Sequence, residues 1–138
     1  VVTNKRDLVW VIGDVAMSVT SLALMDRMVG RKRLIMGNHD QFDTQVYLKY
    51  FEKVRSFEKR YNGLVMTHIP IHPNEMVYRN WVTNVHGHIH HPEKDLVDPS
   101  YINVNVDIIG MMPIRLDHLR TRIALKKHAF KAALLEDL

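Results

Sequence analysis

The 138-residue sequence contains no cysteine, which excludes disulfides and thiolate metal sites together and leaves imidazole and oxygen as the donors for any bound ion. That absence fits a reducing compartment. Long apolar runs are lacking too. Stretches such as LVWVIG and SLALM fall far short of the roughly 18 consecutive apolar residues that a membrane span requires, and the opening does not read as a charged-then-apolar leader. No membrane partner is expected. Nor does the chain carry a dense Lys/Arg stripe interleaved with aromatic residues, the footprint of a dedicated nucleic-acid binder. Linkers, internal repeats and low-complexity tracts are missing, so residues 1–138 are read as one domain.

What is present is ordinary globular material. Hydrophobic residues make up 46% and charged residues 25%, enough for a single two- or three-layer core and too ordered a composition for a disordered chain. A net charge of +4 leans toward anionic, phosphate-bearing partners. The basic stretch RTRIALKKHAFK near the end would support a nucleic-acid binder, but a solvated helix face explains it equally simply. The eight methionines are scattered at core-like positions and suggest packing rather than a copper site.

Hydrophobic patterning outlines the elements. Residues 8–12 form an apolar run of strand length, stopped by Gly13-Asp14, and are expected to be buried on both faces. Ser18 is a fair N-cap for a helix reaching about Val29, ended by Gly30. Leu34 to Met36 then repeat the strand, glycine and polar-loop sequence of the first unit, which makes a βαβ arrangement. Residues 43–53 look helical. Further on, SFEKRYNGLVMTHIP suggests a hairpin turning at Asn62-Gly63, with a strand ending at His68. NWVTNVHGH supplies another short strand. YINVNVDII alternates Ile102, Val104 and Val106 against Asn103, Asn105 and Asp107, as a half-buried strand would. A closing helix is expected at 116–135, with Leu116, Leu119, Ile123 and Leu134 on its apolar side. The implied class is α/β with a mixed sheet or two sheets.

The chemistry-bearing residues share one position. Asp14, Asn38-His39, His68 and His88/His90 each follow an apolar strand, so all are expected at one sheet edge, where open α/β sheets bind ligands. VHGHIHHP places four of the nine histidines in six consecutive positions. Carboxylate, carboxamide and imidazole together suit Mn, Zn, Fe, Co or Ni.

The order of the pieces, GD at 13, GNHD at 37, a strand-ending His68 and GHIH at 87, resembles the calcineurin-like metallophosphoesterase superfamily, closest to its small bacterial and bacteriophage members. The resemblance covers residues 8 to about 115. It implies mixed β-sheets sandwiched by helices, an α/β/β/α fold. It implies a phosphodiester or phosphomonoester substrate, nucleotide-like or a nucleic-acid end, hydrolysed by metal-bound hydroxide in the cytoplasm of a bacterium or infected host cell. Carried over by motif, Asp14 bridges two divalent metal ions, Mn foremost. Asn38, His68 and His88 complete the second ion's ligands and His90 serves the first. His39 is the catalytic proton donor. Asp40 shapes its loop, orients His39 or caps a helix. Outside the motifs, His72 lies near His68 and is expected to touch substrate phosphate, and His86 either hydrogen-bonds a ligand residue or packs. His91, His118 and His128 are expected to be exposed. A homo-oligomer is compatible with all of this.

Two departures qualify the resemblance. The family's Asp-x-His motif, which ends its first strand and supplies two ligands of the first metal, has no counterpart before Asp14; Asp7 has no histidine two residues later. The first strand is therefore expected to be missing from this sequence, through trimming, supply by another chain, or degeneracy. One metal is expected to bind well and the other weakly, and a noncatalytic metal-binding module is the alternative function. The second departure is Met17 in GDVAMS, where relatives acting on phosphoserine proteins carry Asp, so a protein phosphatase is not expected.

Overall fold

The computed structural model describes residues 4–60, 63–92 and 96–136. Two sheets form its centre. The first is all parallel, in the order β1-β2-β3, from β1 (Leu8–Ile12), β2 (Arg31–Ile35) and β3 (Lys53–Arg55). The second, in the order β4-β5-β6-β7, contains β4 (Phe57–Lys59), β5 (Leu64–Thr67), β6 (Thr83–His86) and β7 (Tyr101–Asn103). Here β4 and β5 pair antiparallel, and β5, β6 and β7 run parallel. The hairpin expected from SFEKRYNGLVMTHIP is thus present, although Asn62 of its turn lies outside the described residues, as does the side chain of Leu134.

Strand alternation builds the layers, because successive side chains point to opposite faces. Ile12 and Ile35 of the first sheet meet Leu64, Met66, Val85 and Ile102 of the second, with Leu119 and Ile123 packed into the same cluster. On the other face of the first sheet, Val11, Leu34 and Val54 pack with Leu22, Tyr47 and Phe51. These come from α1 (Val19–Leu22), α2 (Thr44–Tyr47) and the turn after α2. On the far face of the second sheet, Val65 and Tyr101 pack with Met76 of α3 (Pro73–Tyr78). The result is a sandwich of two sheets flanked by helices, as expected. The chain continues through α4 (Val106–Ile109) into α5 (Leu116–Glu136). Among the described residues, no helix is long and apolar enough to cross a membrane.

Three boundaries and one burial pattern differ from the sequence reading. The helix begun at Ser18, whose hydroxyl accepts from Ser21 N at 3.1 Å, stays α-helical only to Leu22 and continues as a 3-10 segment, Ala23–Arg27. The helix expected over 43–53 is a single turn capped by Asp43, after which the chain is needed for β3. All five residues of β1 are half-buried rather than buried, because the strand pairs only with β2 among the described residues and lies at a sheet edge. The alternating YINVNVDII is strand only through Asn103. The Asn103 side chain accepts from Asn105 N at 2.9 Å and the Asn105 side chain from Asp107 N at 3.0 Å, and these local turns redirect the backbone into α4.

Candidate metal centre

Parallel strands deliver their C-terminal ends to a common edge, and the sandwich brings the ends of both sheets together. Asp14 follows β1, Asn38 to Asp40 follow β2, His68 follows β5 and His88 follows β6. Ligand atoms of Asp14, His68 and His88 all lie within 4.8 Å of one another. The His68 and His88 rings meet edge to face at 5.2 Å between centroids.

His68 is held most firmly. It is buried, and its Nδ1 lies 2.9 Å from the carbonyl oxygen of Ile12, tying the second sheet to the first. A carbonyl only accepts, so Nδ1 carries a proton and Nε2 is the nitrogen turned toward the other members of the group. That nitrogen lies 3.1 Å from Asp14 Oδ2 and 3.1 Å from Asn38 Oδ1. A carboxylate oxygen, a carboxamide oxygen and an imidazole nitrogen therefore converge on one point. Without a proton on Nε2 the arrangement is repulsive, and a divalent cation among the three satisfies all of them. The donor set of carboxylate, carboxamide oxygen and imidazole fits Mn, Zn or a similar ion.

The backbone is shaped to permit this approach. A Cβ on Gly13 would run into the His68 ring, and one on Gly37 into the Asp14 carboxylate. Asp14 (φ 52°) and His88 (φ 65°) both take the left-handed conformation that L-residues seldom adopt, so two members of the group are held under local strain.

Asp40 supports the loops from beneath. It is buried, and its carboxylate accepts the backbone N–H groups of Asp14 at 2.8 Å, Val15 at 2.9 Å and Gly37 at 2.8 Å. It therefore shapes the loops that carry Asp14 and Asn38, while the helix-cap role falls to Asp43 of α2. The His39 amide donates to Asp14 Oδ1 at 2.9 Å, and residue 39 is exposed. Burial pushes the nearby Tyr47 phenol above its ordinary value, and the Asp40 carboxylate adds to the rise.

The other histidines separate from the group. His90 does not enter it; its Nδ1 lies 2.7 Å from Asp107 Oδ2. His72 is exposed and caps α3, its Nδ1 accepting from Asn74 N at 3.3 Å. His86 is fully buried, donates from Nδ1 to the Gly87 carbonyl at 2.9 Å and packs against Tyr101. His91, His118 and His128 are exposed, as expected. Sequence reasoning missed Asp107, because in NVNVD it reads as one more outward residue of a strand.

Fold and site together define an α/β sandwich with an Asp/Asn/His/His group at its strand ends. Among solved structures, the chain is similar to the protein of unknown function AQ665 from Aquifex aeolicus, with a TM-score of 0.71 and 21% identity over 87% of this chain and 78% of that one. At that identity the likeness bears on the fold. No protein-family model matches the chain, and no curated protein does.

Proposed function

We propose that the chain is a metal-dependent phosphoesterase of the calcineurin-like metallophosphoesterase type, acting on a phosphodiester or phosphomonoester of nucleotide-like character. The observation that carries this reading is the meeting of Asp14 Oδ2 and Asn38 Oδ1 at His68 Nε2, with His88 alongside. These four residues would hold one divalent cation, Mn foremost. Such an ion, when bound, polarises a phosphoryl group and acidifies water beside it. The protein's own share is to fix the donors. Ile12 holds the His68 tautomer, Asp40 holds the loop bearing Asp14, and the His39 amide steadies the Asp14 carboxylate. His39, exposed next to Asn38, is the proton donor to the leaving oxygen.

A second reading, a metal-binding module without catalysis, is favoured by His90 lying outside the group. One assay separates the two: Mn-supplemented turnover of bis-p-nitrophenyl phosphate and of p-nitrophenyl phosphate by the wild type and His39→Ala. Turnover that falls about 100-fold or more in His39→Ala supports the enzyme with His39 as acid. Full activity in that variant removes His39 from the role. A protein that binds Mn and turns over neither ester is the binding module.

A further inference from the structure

The basic stretch RTRIALKKHAFK lies within α5, and the fold does not leave all of it to open solvent. Lys126 turns inward, its Nζ donating to the Leu96 and Tyr101 carbonyls at 2.7 Å each. Arg120, Ile123 and Lys127 instead follow Leu116 at helical spacing, and these four form one wall of a shallow groove of about 240 Å3. The facing wall comes from the second sheet, with Arg60 after β4, Leu64 at the start of β5 and Val82 just before β6. Both walls are fixed. The Arg60 amide donates to the Leu64 carbonyl at 2.7 Å and the Val82 amide to the Gly63 carbonyl at 2.7 Å, while Leu119 seats α5 in the core.

The groove carries charge of one sign. Arg60, Arg120 and Lys127 line it and no carboxylate does. Among the described residues, none of these three side chains makes an ion pair or a hydrogen bond. A cleft walled by one sign of charge concentrates the field and attracts the opposite sign. Between the cations lies an aliphatic floor of Leu64, Val82, Leu116 and Ile123, of which Val82 is 49% and Leu116 45% exposed. A fitting ligand therefore brings aliphatic surface as well as negative charge. No aromatic ring lines the groove, so a nucleobase has nothing to stack on, and a phosphate backbone would leave the aliphatic floor uncovered. From Leu116 to Lys127 the helix rises about 16 Å, the length of about three turns of a partner helix laid in the groove.

We propose that this groove docks an acidic amphipathic segment of a partner protein, whose Asp and Glu residues meet the three cations while its aliphatic residues cover the floor. The site is distinct from the candidate metal centre. Leu64 and Thr83 open β5 and β6, whereas His68 and His88 follow the far ends of those strands, so the groove lies at the opposite end of the sheet and is independent of what the metal centre does.

Fluorescence anisotropy tests this with a labelled twelve-residue peptide of Leu and Glu at helical spacing, beside the same peptide with Gln for every Glu and a labelled twelve-nucleotide oligothymidine. Wild type should bind the Glu peptide. Exchanging Glu for Gln in the peptide, or Arg120→Glu together with Lys127→Glu in the protein, should each weaken binding about 10-fold or more. Arg120→Lys should retain it. Val82→Ser should weaken it too, which attraction between charges alone would not produce. Circular dichroism melts check that the variants fold, and the Gln peptide on wild type carries the charge test where a variant melts early. A wild type that ignores the Glu peptide, or binds the Glu and Gln peptides alike, overturns the proposal. So does a charge-reversed variant or a Val82→Ser variant that folds and binds as wild type does. Tighter binding of the oligothymidine, lost on charge reversal, overturns it in favour of nucleic acid. Sedimentation velocity covers the remaining occupant: a wild-type dimer that charge reversal dissociates assigns the groove to a second copy and overturns the separate partner.

Discussion

Asp40 shows how much of the site rests on a residue that touches neither ring. One buried carboxylate accepts three backbone amides from two loops: those of Asp14 and Val15, 26 and 25 residues before it, and that of Gly37 in its own loop. Removing it leaves buried donors without acceptors, each worth about 1–3 kcal/mol. Asp40→Ala is therefore expected to lower stability by roughly 3 kcal/mol or more in urea denaturation, and to weaken cation binding even though it is not a ligand. In the sequence, Asp40 was legible as the last letter of GNHD but its role was not. Loop support, orientation of His39 and helix capping are indistinguishable until the amides around it are placed. The same holds for His86 and His90: neighbours in one motif, the first is sealed under Tyr101 and the second is joined to Asp107.

At the scale of elements, the strands were the legible part, and their ends were not. LVMT and TNVH became β5 and β6, the middle strands of their sheet, covered on both faces; TNVH is buried despite its polar residues because Asn84 donates to Thr67 Oγ1 at 2.9 Å and His86 to the Gly87 carbonyl at 2.9 Å. YINVNVDII carried a clean alternation, yet two asparagines with local backbone bonds ended the strand after three residues. Alternation reports burial pattern and is silent on side chains that compete for the backbone. The Asn105 cap is expected to contribute about 1 kcal/mol. Asn105→Ala should lower the melting midpoint accordingly, read by thermal denaturation. The helix read at 116–135 held, appearing as Leu116–Glu136, with Leu119 and Ile123 packed into the cluster between the sheets.

For the molecule as a whole, the centre couples the two sheets, since His68 belongs to the second and its anchor Ile12 to the first. Any ion that binds the folded chain and not the unfolded one stabilises the whole sandwich by mass action. At a concentration 100 times the dissociation constant the gain is about 2.7 kcal/mol. Thermal melts should therefore rise by roughly 5–10 °C from EDTA to saturating Mn. His68→Ala, melted in EDTA and in Mn, should show no such rise. An equal rise in that variant would place the bound ion somewhere other than this group.

The sequence by itself determined the donors: with no cysteine, and with Asp, Asn and His each stationed after an apolar strand, any metal chemistry had to run through oxygen and imidazole at strand ends. It also determined an α/β fold, because apolar periodicity is a local property of the chain. Only the tertiary structure decided which of those donors meet. His68 and Asn38 are 30 residues apart, and Asp107 reaches His90 across 17. Such pairings depend on how two sheets stack and where a strand is cut short by its own asparagines. Those distances are set by packing in three dimensions, and periodicity along the chain carries no record of them.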